Sequence, residues 1–222
     1  MSARPSMCRL CLALLLACGA ASAQEPEWKV LRLGNFHAGE APAHPGTGWL
    51  ALTVVDGKWH LVPAVVTATA LPDLADEPPA ATGVEIGTDA ADAIALLRAP
   101  GLRSGKVDTP DMRFKSNARY FQYGSTMSIA FKGRQYRFEV RQKALDLTLG
   151  STSQRISDDV GAVDQDDSLS LVWAGDLDGD GQLDFLLAGT GKNSDSLCLY
   201  LSRAAAAGAL VGAAGCSAGT GC

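Results

Sequence analysis

The stretch Trp49–Val66, WLALTVVDGKWHLVPAVV, decides the fold class. Its two halves, Trp49–Val55 and Trp59–Val66, have the composition and alternation of half-buried strands. Asp56-Gly57 stands between them. An Asp-Gly pair accepts the positive φ that both central positions of a two-residue hairpin turn demand, so the spacing predicts an antiparallel hairpin. Pro63 has no N–H to give a ladder, and the second strand therefore belongs at an edge or carries a bulge.

The same pattern extends in both directions. Trp28–Leu33 (WKVLRL) alternates, and Met127–Phe131 and Arg134–Val140 flank Lys132-Gly133, a second tight turn. Leu145–Leu149, Leu169–Ala174, Phe185–Ala188 and Leu197–Leu201 are further short apolar runs between turn residues. Such a series predicts an all-β protein of mainly antiparallel hairpins with little helix, arranged as a sandwich, an open barrel or stacked hairpins. Asp89–Arg98 reads as a short helix capped by Asp89 or as one more strand. Leu71–Gly83, rich in proline and acid, is a loop or a boundary within a main β domain of residues 24–203. The Ala-, Gly- and Cys-containing tail, 204–222, is expected to be loosely ordered unless a disulfide holds it.

The N-terminus decides which of the 222 residues belong to that fold. Arg4 and Arg9 flank the start of an apolar run, Leu10–Ala17, and Ala21-Ser22-Ala23 supplies small residues for signal-peptidase cleavage. The run is too short to cross ~30 Å of hydrocarbon. Residues 1–23 therefore read as a secretory signal peptide and the protein as periplasmic or secreted. Leu15-Leu16-Ala17-Cys18 offers the alternative of a membrane-anchored lipoprotein lipidated on Cys18. No other apolar stretch reaches the ~18–20 residues of a membrane span. Loss of the leader removes two arginines and no acid, taking the formal charge from −5 to −7. A mildly acidic chain of this kind is not a general nucleic-acid binder. An oxidising compartment permits a disulfide. Cys198, Cys216 and Cys222 can make at most one internal bridge, with the pairing left open.

The chemistry concentrates in Asp176-Leu177-Asp178-Gly179-Asp180-Gly181-Gln182-Leu183-Asp184. Calcium takes six to eight oxygen ligands at ~2.3–2.6 Å from a chain that curls around it. Aspartates at the first, third and fifth positions turn alternate carboxylates inward. Gly181 at the sixth permits the positive-φ turn that brings the chain back. The carbonyl of Gln182 then faces the ion, and Asp184 closes the cage. Four carboxylates this close repel one another unless a cation joins them. An EF-hand would need a bidentate Glu at position twelve, where Leu187 stands, and a helix on each side; the flanks here are strand-like.

Strand, DxDxDGxxD loop, strand resembles the calcium-binding repeat of the FG-GAP and VCBS families over Trp173–Ala188. The resemblance implies Ca2+ held by the side chains of Asp176, Asp178, Asp180 and Asp184 and by the Gln182 carbonyl. Members of those families build propeller blades from several copies. One copy is present here, so a complete propeller is not expected.

Other features carry less. Gly215-Cys216-Ser217-Ala218-Gly219 has the spelling of a nucleophile elbow, but no acid or histidine follows it. Gly189-Thr190-Gly191-Lys192 lacks the first glycine of a phosphate loop. His37, His44 and His60 are the only histidines, and no third ligand stands at zinc spacing from His37 and His44. Trp28, Trp49, Trp59 and Trp173 read as core before they read as a sugar-binding face. Arg98–Lys143 holds eleven Lys/Arg against three acids. They form either the solvated faces of hairpins or a stripe for an anionic cell-envelope component. The expectation is an exported, calcium-binding, non-enzymatic protein. The alternative is an envelope hydrolase, which a pocket of polar groups near a histidine would mark.

Overall fold

A computed structural model describes residues 29–73, 76–78, 80–110, 120–156 and 168–220. Residues 1–28, with Cys18 and Trp28, and Cys222 lie outside these residues. The first strands in chain order are β1 (Val30–Leu31), β2 (Gly34–Phe36), β3 (Trp49–Val55), β4 (Lys58–Ala64), β5 (Val66–Leu71) and β6 (Gly83–Thr88). They are followed by β7 (Ala95–Leu97), β8 (Gly105–Lys106), β9 (Tyr120–Phe121), β10 (Thr126–Phe131), β11 (Arg134–Arg141) and β12 (Ala144–Leu149). The last are β13 (Thr152–Arg155), β14 (Ser168–Gly175), β15 (Asp184–Gly191), β16 (Ser194–Leu201) and β17 (Gly212–Gly219). A single 3-10 turn, Ser202–Ala204, follows β16, and no α-helix occurs among the described residues. The fold is all-β.

The turns form where their residues demand them. β3 and β4 pair from Trp49↔Ala64 to Val55↔Lys58, with Asp56 at φ 50° and Gly57 at φ 74°. Lys132-Gly133 makes the same kind of turn between β10 and β11, at φ 45° and 75°. Gln142-Lys143 repeats it between β11 and β12, at φ 50° and 65°, with no glycine to announce it.

Trp59–Val66 is not one strand. The ladder ends at Ala64, and the chain passes at Val65 into a second sheet, where β5 pairs with β6. The Val65 N–H released by that crossing donates to Asp89 Oδ1 at 2.8 Å, so the break leaves no orphan donor. Pro63 sits where β4 has only β3 beside it, because β8 pairs with His60 and Leu61 alone. Residues 71–83 connect the paired strands β5 and β6, and Asp89–Arg98 yields the short strand β7 rather than a helix. The 204–222 tail contains β17, which pairs with β16 from Asp195 to Leu201. Cys198 and Cys216 face each other in that ladder and are disulfide-bonded.

The strands make four antiparallel sheets, none closed into a barrel among the described residues: β2-β6-β5, β1-β7-β3-β4-β8, β17-β16-β15-β14-β9 and β10-β11-β12-β13. Three apolar cores join them in that order. Leu31, Phe36, Trp49, Ile86 and Leu96 fill the first interface, and Leu52, Leu61, Leu97, Trp173, Leu186 and Leu199 the second. Phe138, Leu147, Leu171, Phe185, Leu187 and Tyr200 fill the third. The sheet built on β15 and β16 is thus covered on both faces, which is why Phe185-Leu186-Leu187 and Leu197–Leu201 are unbroken apolar runs. The aspartate loop leaves this doubly covered sheet between β14 and β15, so its acids start from the middle of the molecule.

Candidate metal centre

β14 ends at Gly175 and β15 begins at Asp184, and the turn between them is fastened at several points. Asp176 makes an isolated bridge with Asp108, donating its N–H to the Asp108 carbonyl at 2.8 Å. Gly175 allows that approach. A Cβ there would lie 2.6 Å from the Asp108 oxygen and 2.5 Å from the Trp173 ring. Leu177 is buried in the second core and Leu183 in the third, so the loop is anchored near both ends while Asp176, Asp178 and Asp184 converge.

The carboxylates also shape their own loop. Asp176 Oδ2 accepts the Gly181 N–H at 2.9 Å, Asp178 Oδ1 that of Asp180 at 3.2 Å, and Asp180 Oδ1 that of Gln182 at 2.8 Å. Gly181 has φ 82°, the left-handed turn expected of it. Asp184 Oδ2 accepts from Leu177 N at 2.7 Å and Asp178 N at 3.3 Å. Ser202 closes the far side. Its N–H donates to Asp184 Oδ1 at 2.8 Å, and its hydroxyl lies 2.9 Å from that oxygen and 2.8 Å from Asp180 Oδ2.

Two cations border the cluster. Lys132 Nζ is 2.7 Å from Asp176 Oδ2 and 3.1 Å from Asp108 Oδ2. Arg203 Nε is 3.5 Å from Asp178 Oδ2, and its Nη2 donates to the Asp178 carbonyl at 3.2 Å. The four loop aspartates and Asp108 outnumber these two cations, so the cluster holds more carboxylates than its neighbours can pair. Burial, then the neighbouring Asp180 charge, raises the Asp178 carboxyl above its ordinary value. Burial pushes Asp184 up to about 7. The hydrogen bond to Asp176 raises the Lys132 ammonium.

Oxygens of Asp176, Asp178 and Asp184 converge within 4.8 Å of one another, a group that can hold a metal ion. Asp176 Oδ1 and Asp178 Oδ2 are buried and have no hydrogen-bond partner. A buried carboxylate oxygen without a donor is costly; Arg203, 3.5 Å from Asp178 Oδ2, offsets part of that cost, and a cation among these three side chains would offset the rest. Asp180 and Gln182 stand differently. Asp180 is exposed, outside the converging group, with its oxygens turned to Ser202 and Gln182. The Gln182 side chain faces outward and accepts from Arg134 at 3.2 Å. Ser202, Lys132, Arg203 and Asp108 come from remote parts of the chain, and no local spacing announces them.

The remaining sequence features fall into structural places. Trp49 and Trp173 are buried, and Trp59 packs edge-on to Trp173 at 6.1 Å. Trp49 donates its indole N–H to Pro45 O at 2.7 Å. Ser217 is wholly buried within β17, away from any strand-to-helix turn. Arg137 and Arg141 both pair with Glu139 along β11, which offsets part of the basic segment; beyond that segment Arg155 pairs with Asp146 across β12 and β13. His37 Nδ1 lies 2.6 Å from Asp73 Oδ1. Among the described residues no histidine belongs to a group of three or more metal-ligating side chains, and the cleft of about 370 Å³ beside the aspartate loop has none in its wall. No helix among the described residues is long and apolar enough to cross a membrane. No protein family matches the chain, and neither a curated protein nor a solved structure is significantly similar to it.

Proposed function

We propose that this is an exported, non-enzymatic protein that binds one calcium ion in the loop Asp176–Asp184, and that the ion ties β14 and β15 to the elements around them. The observation that carries the reading is the convergence of the Asp176, Asp178 and Asp184 carboxylates within 4.8 Å, with Asp176 Oδ1 buried and accepting no hydrogen bond. Calcium is favoured over zinc because every donor is oxygen. It is favoured over magnesium because three protein carboxylates converge, whereas magnesium is usually held by one or two and keeps several waters. The strand–DxDxDGxxD–strand arrangement supports reading the segment as one repeat of the FG-GAP/VCBS type. Export is supported by the leader-like residues 1–23 and by the Cys198–Cys216 disulfide, which persists in oxidising compartments.

A ligand bound by the native state alone stabilises it by RT ln(1 + [L]/Kd), about 2.7 kcal/mol at a hundredfold excess over Kd. In a chain of this size that corresponds to a rise in Tm of roughly 5–10 °C. Thermal melts of the protein with calcium and after its removal should differ by that order, and Asp178→Ala should abolish the difference. Equal Tm values in both conditions would sink the metal reading. Isothermal titration with calcium, magnesium and zinc tests the identity of the ion.

A further inference from the structure

The cleft beside the aspartate loop has a wall whose charge is opposite to that of the chain. Gly101, Arg103, Ser104, Lys106 and Arg203 line one part of it, and Asp176–Gly179 of the aspartate loop line another. The side chains of Arg103 and Lys106 are exposed and make no hydrogen bond or ion pair among the described residues. Two uncompensated cations in one cleft of a protein with formal charge −5 is a local inversion of sign.

The backbone that presents these groups is fixed. β8 pairs with His60 and Leu61 of β4, and Val107 donates its N–H to Trp59 O at 2.9 Å. Gly101, at φ 93°, leaves the space in which the Arg203 guanidinium lies; a Cβ there would come within 3.0 Å of Nη1. The neighbouring carboxylates do not cancel the cations of the cleft. Asp176 and Asp178 have side chains only 4% and 0% exposed, and they face Lys132 and Arg203 respectively.

We propose that this cleft binds a small, hydroxyl-rich ligand bearing a carboxylate or a phosphate. A guanidinium presents a planar fork that matches either oxyanion, and a lysine ammonium adds an adjustable point charge. The polar, glycine-containing wall suits hydroxyl groups rather than an apolar body. A volume of about 370 Å³ lies at the small end of ligand pockets and admits a single sugar ring with its acid group. The site shares a wall with the proposed calcium loop but goes beyond that reading, because Arg103 and Lys106 carry its charge.

The test is an amide chemical-shift titration of the full protein in buffer cleared of metals with a chelating resin, since a soluble chelator is itself a polyanion. The probes are glucuronate, glucose 6-phosphate and neutral glucose. Saturable shifts at Gly101, Gly105 and Lys106 are expected with a charged probe and not with glucose, and the charged probe that binds identifies the acid group. Arg103→Gln/Lys106→Gln should weaken binding at least tenfold while keeping the thermal response to calcium. Arg103→Lys/Lys106→Arg should retain binding within about threefold. No saturable shift with either charged probe, equal binding of glucose, or unchanged affinity in the Gln/Gln variant overturns the proposal. A protein that ignores calcium yet binds a charged probe would overturn the metal reading and leave the cleft standing.

Discussion

Asp184 concentrates the energetics of the loop in one side chain. It is wholly buried, accepts hydrogen bonds from Leu177, Asp178 and Ser202, and without a metal ionises at about 7 against an ordinary 3.8. Between those values the native state keeps a proton that the unfolded chain has released. The native state then binds more protons, so stability falls as pH rises, by at most about 1.4 kcal/mol per pH unit. His37 acts in the same direction. Its hydrogen bond to Asp73 raises its pKa from 6.5, and that contribution is lost as pH rises through the raised value. A cation beside Asp184 favours the ionised carboxylate and opposes its decline, while His37 titrates with or without metal. The fall in Tm from pH 5 to pH 8 should therefore be steeper in metal-free protein than in calcium. Parallel lines in the two conditions would separate Asp184 from the metal site.

β17 shows how an element can be held by its neighbours against its own composition. Gly212-Ala213-Ala214-Gly215-Cys216-Ser217-Ala218-Gly219 contains no β-branched or aromatic residue, and alanine and glycine are poor strand formers. Pairing with β16, the disulfide to Cys198, and Glu40 receiving the Thr220 N–H at 2.7 Å hold it in place. The bridge closes a separation of 18 residues, for which the chain-entropy treatment gives about 3 kcal/mol. Cys198→Ala/Cys216→Ala should lower stability by that order, and hydrogen exchange should report loss of protection over 212–219 before the rest of the sheet. Protection as strong as in the intact protein would show that the ladder alone suffices. The contrast with β3–β4 is instructive. Asp56-Gly57 declares its hairpin in two letters, whereas Gln142-Lys143 reaches the same positive φ values only because β11 and β12 are already paired on both sides of it.

At the scale of the molecule, stability depends on sheets that serve two cores at once. Phe185 and Leu186 are adjacent, yet Phe185 packs into the third core against Phe138 and Tyr200, at ring separations of 5.2 and 5.1 Å, while Leu186 packs into the second. Truncating Phe185 to Ala should cost about 3–5 kcal/mol and Leu186 to Ala about 2–5 kcal/mol. Each should shift the denaturant midpoint without splitting the transition, because the shared sheet couples the cores. Two separate transitions in either variant would show that the sheets unfold independently. The exposed Val55, on the same β3 strand as the buried Leu52, should tolerate alanine within about 0.5 kcal/mol.

What the amino-acid sequence determined by itself is the part of the structure written in short periods. Alternation and Asp-Gly or Lys-Gly turns specify strands and hairpins because a strand's side chains repeat every two residues. The 1-3-5-9 spacing of aspartates, with Gly181 at the sixth position, specifies a carboxylate loop because nine residues are enough to curl around a cation. Only the tertiary structure decided which sheet each strand joins, why the Trp59–Val66 run divides at Val65, and which side chains surround the carboxylate cluster. Ser202 reaches Asp184 across 18 residues, Arg203 reaches Asp178 across 25, and Lys132 reaches Asp176 across 44. Such contacts have no period to read. They exist because the sheet built on β15 and β16 is covered on both faces, which brings residues from remote hairpins to the ends of β14, β15 and β16.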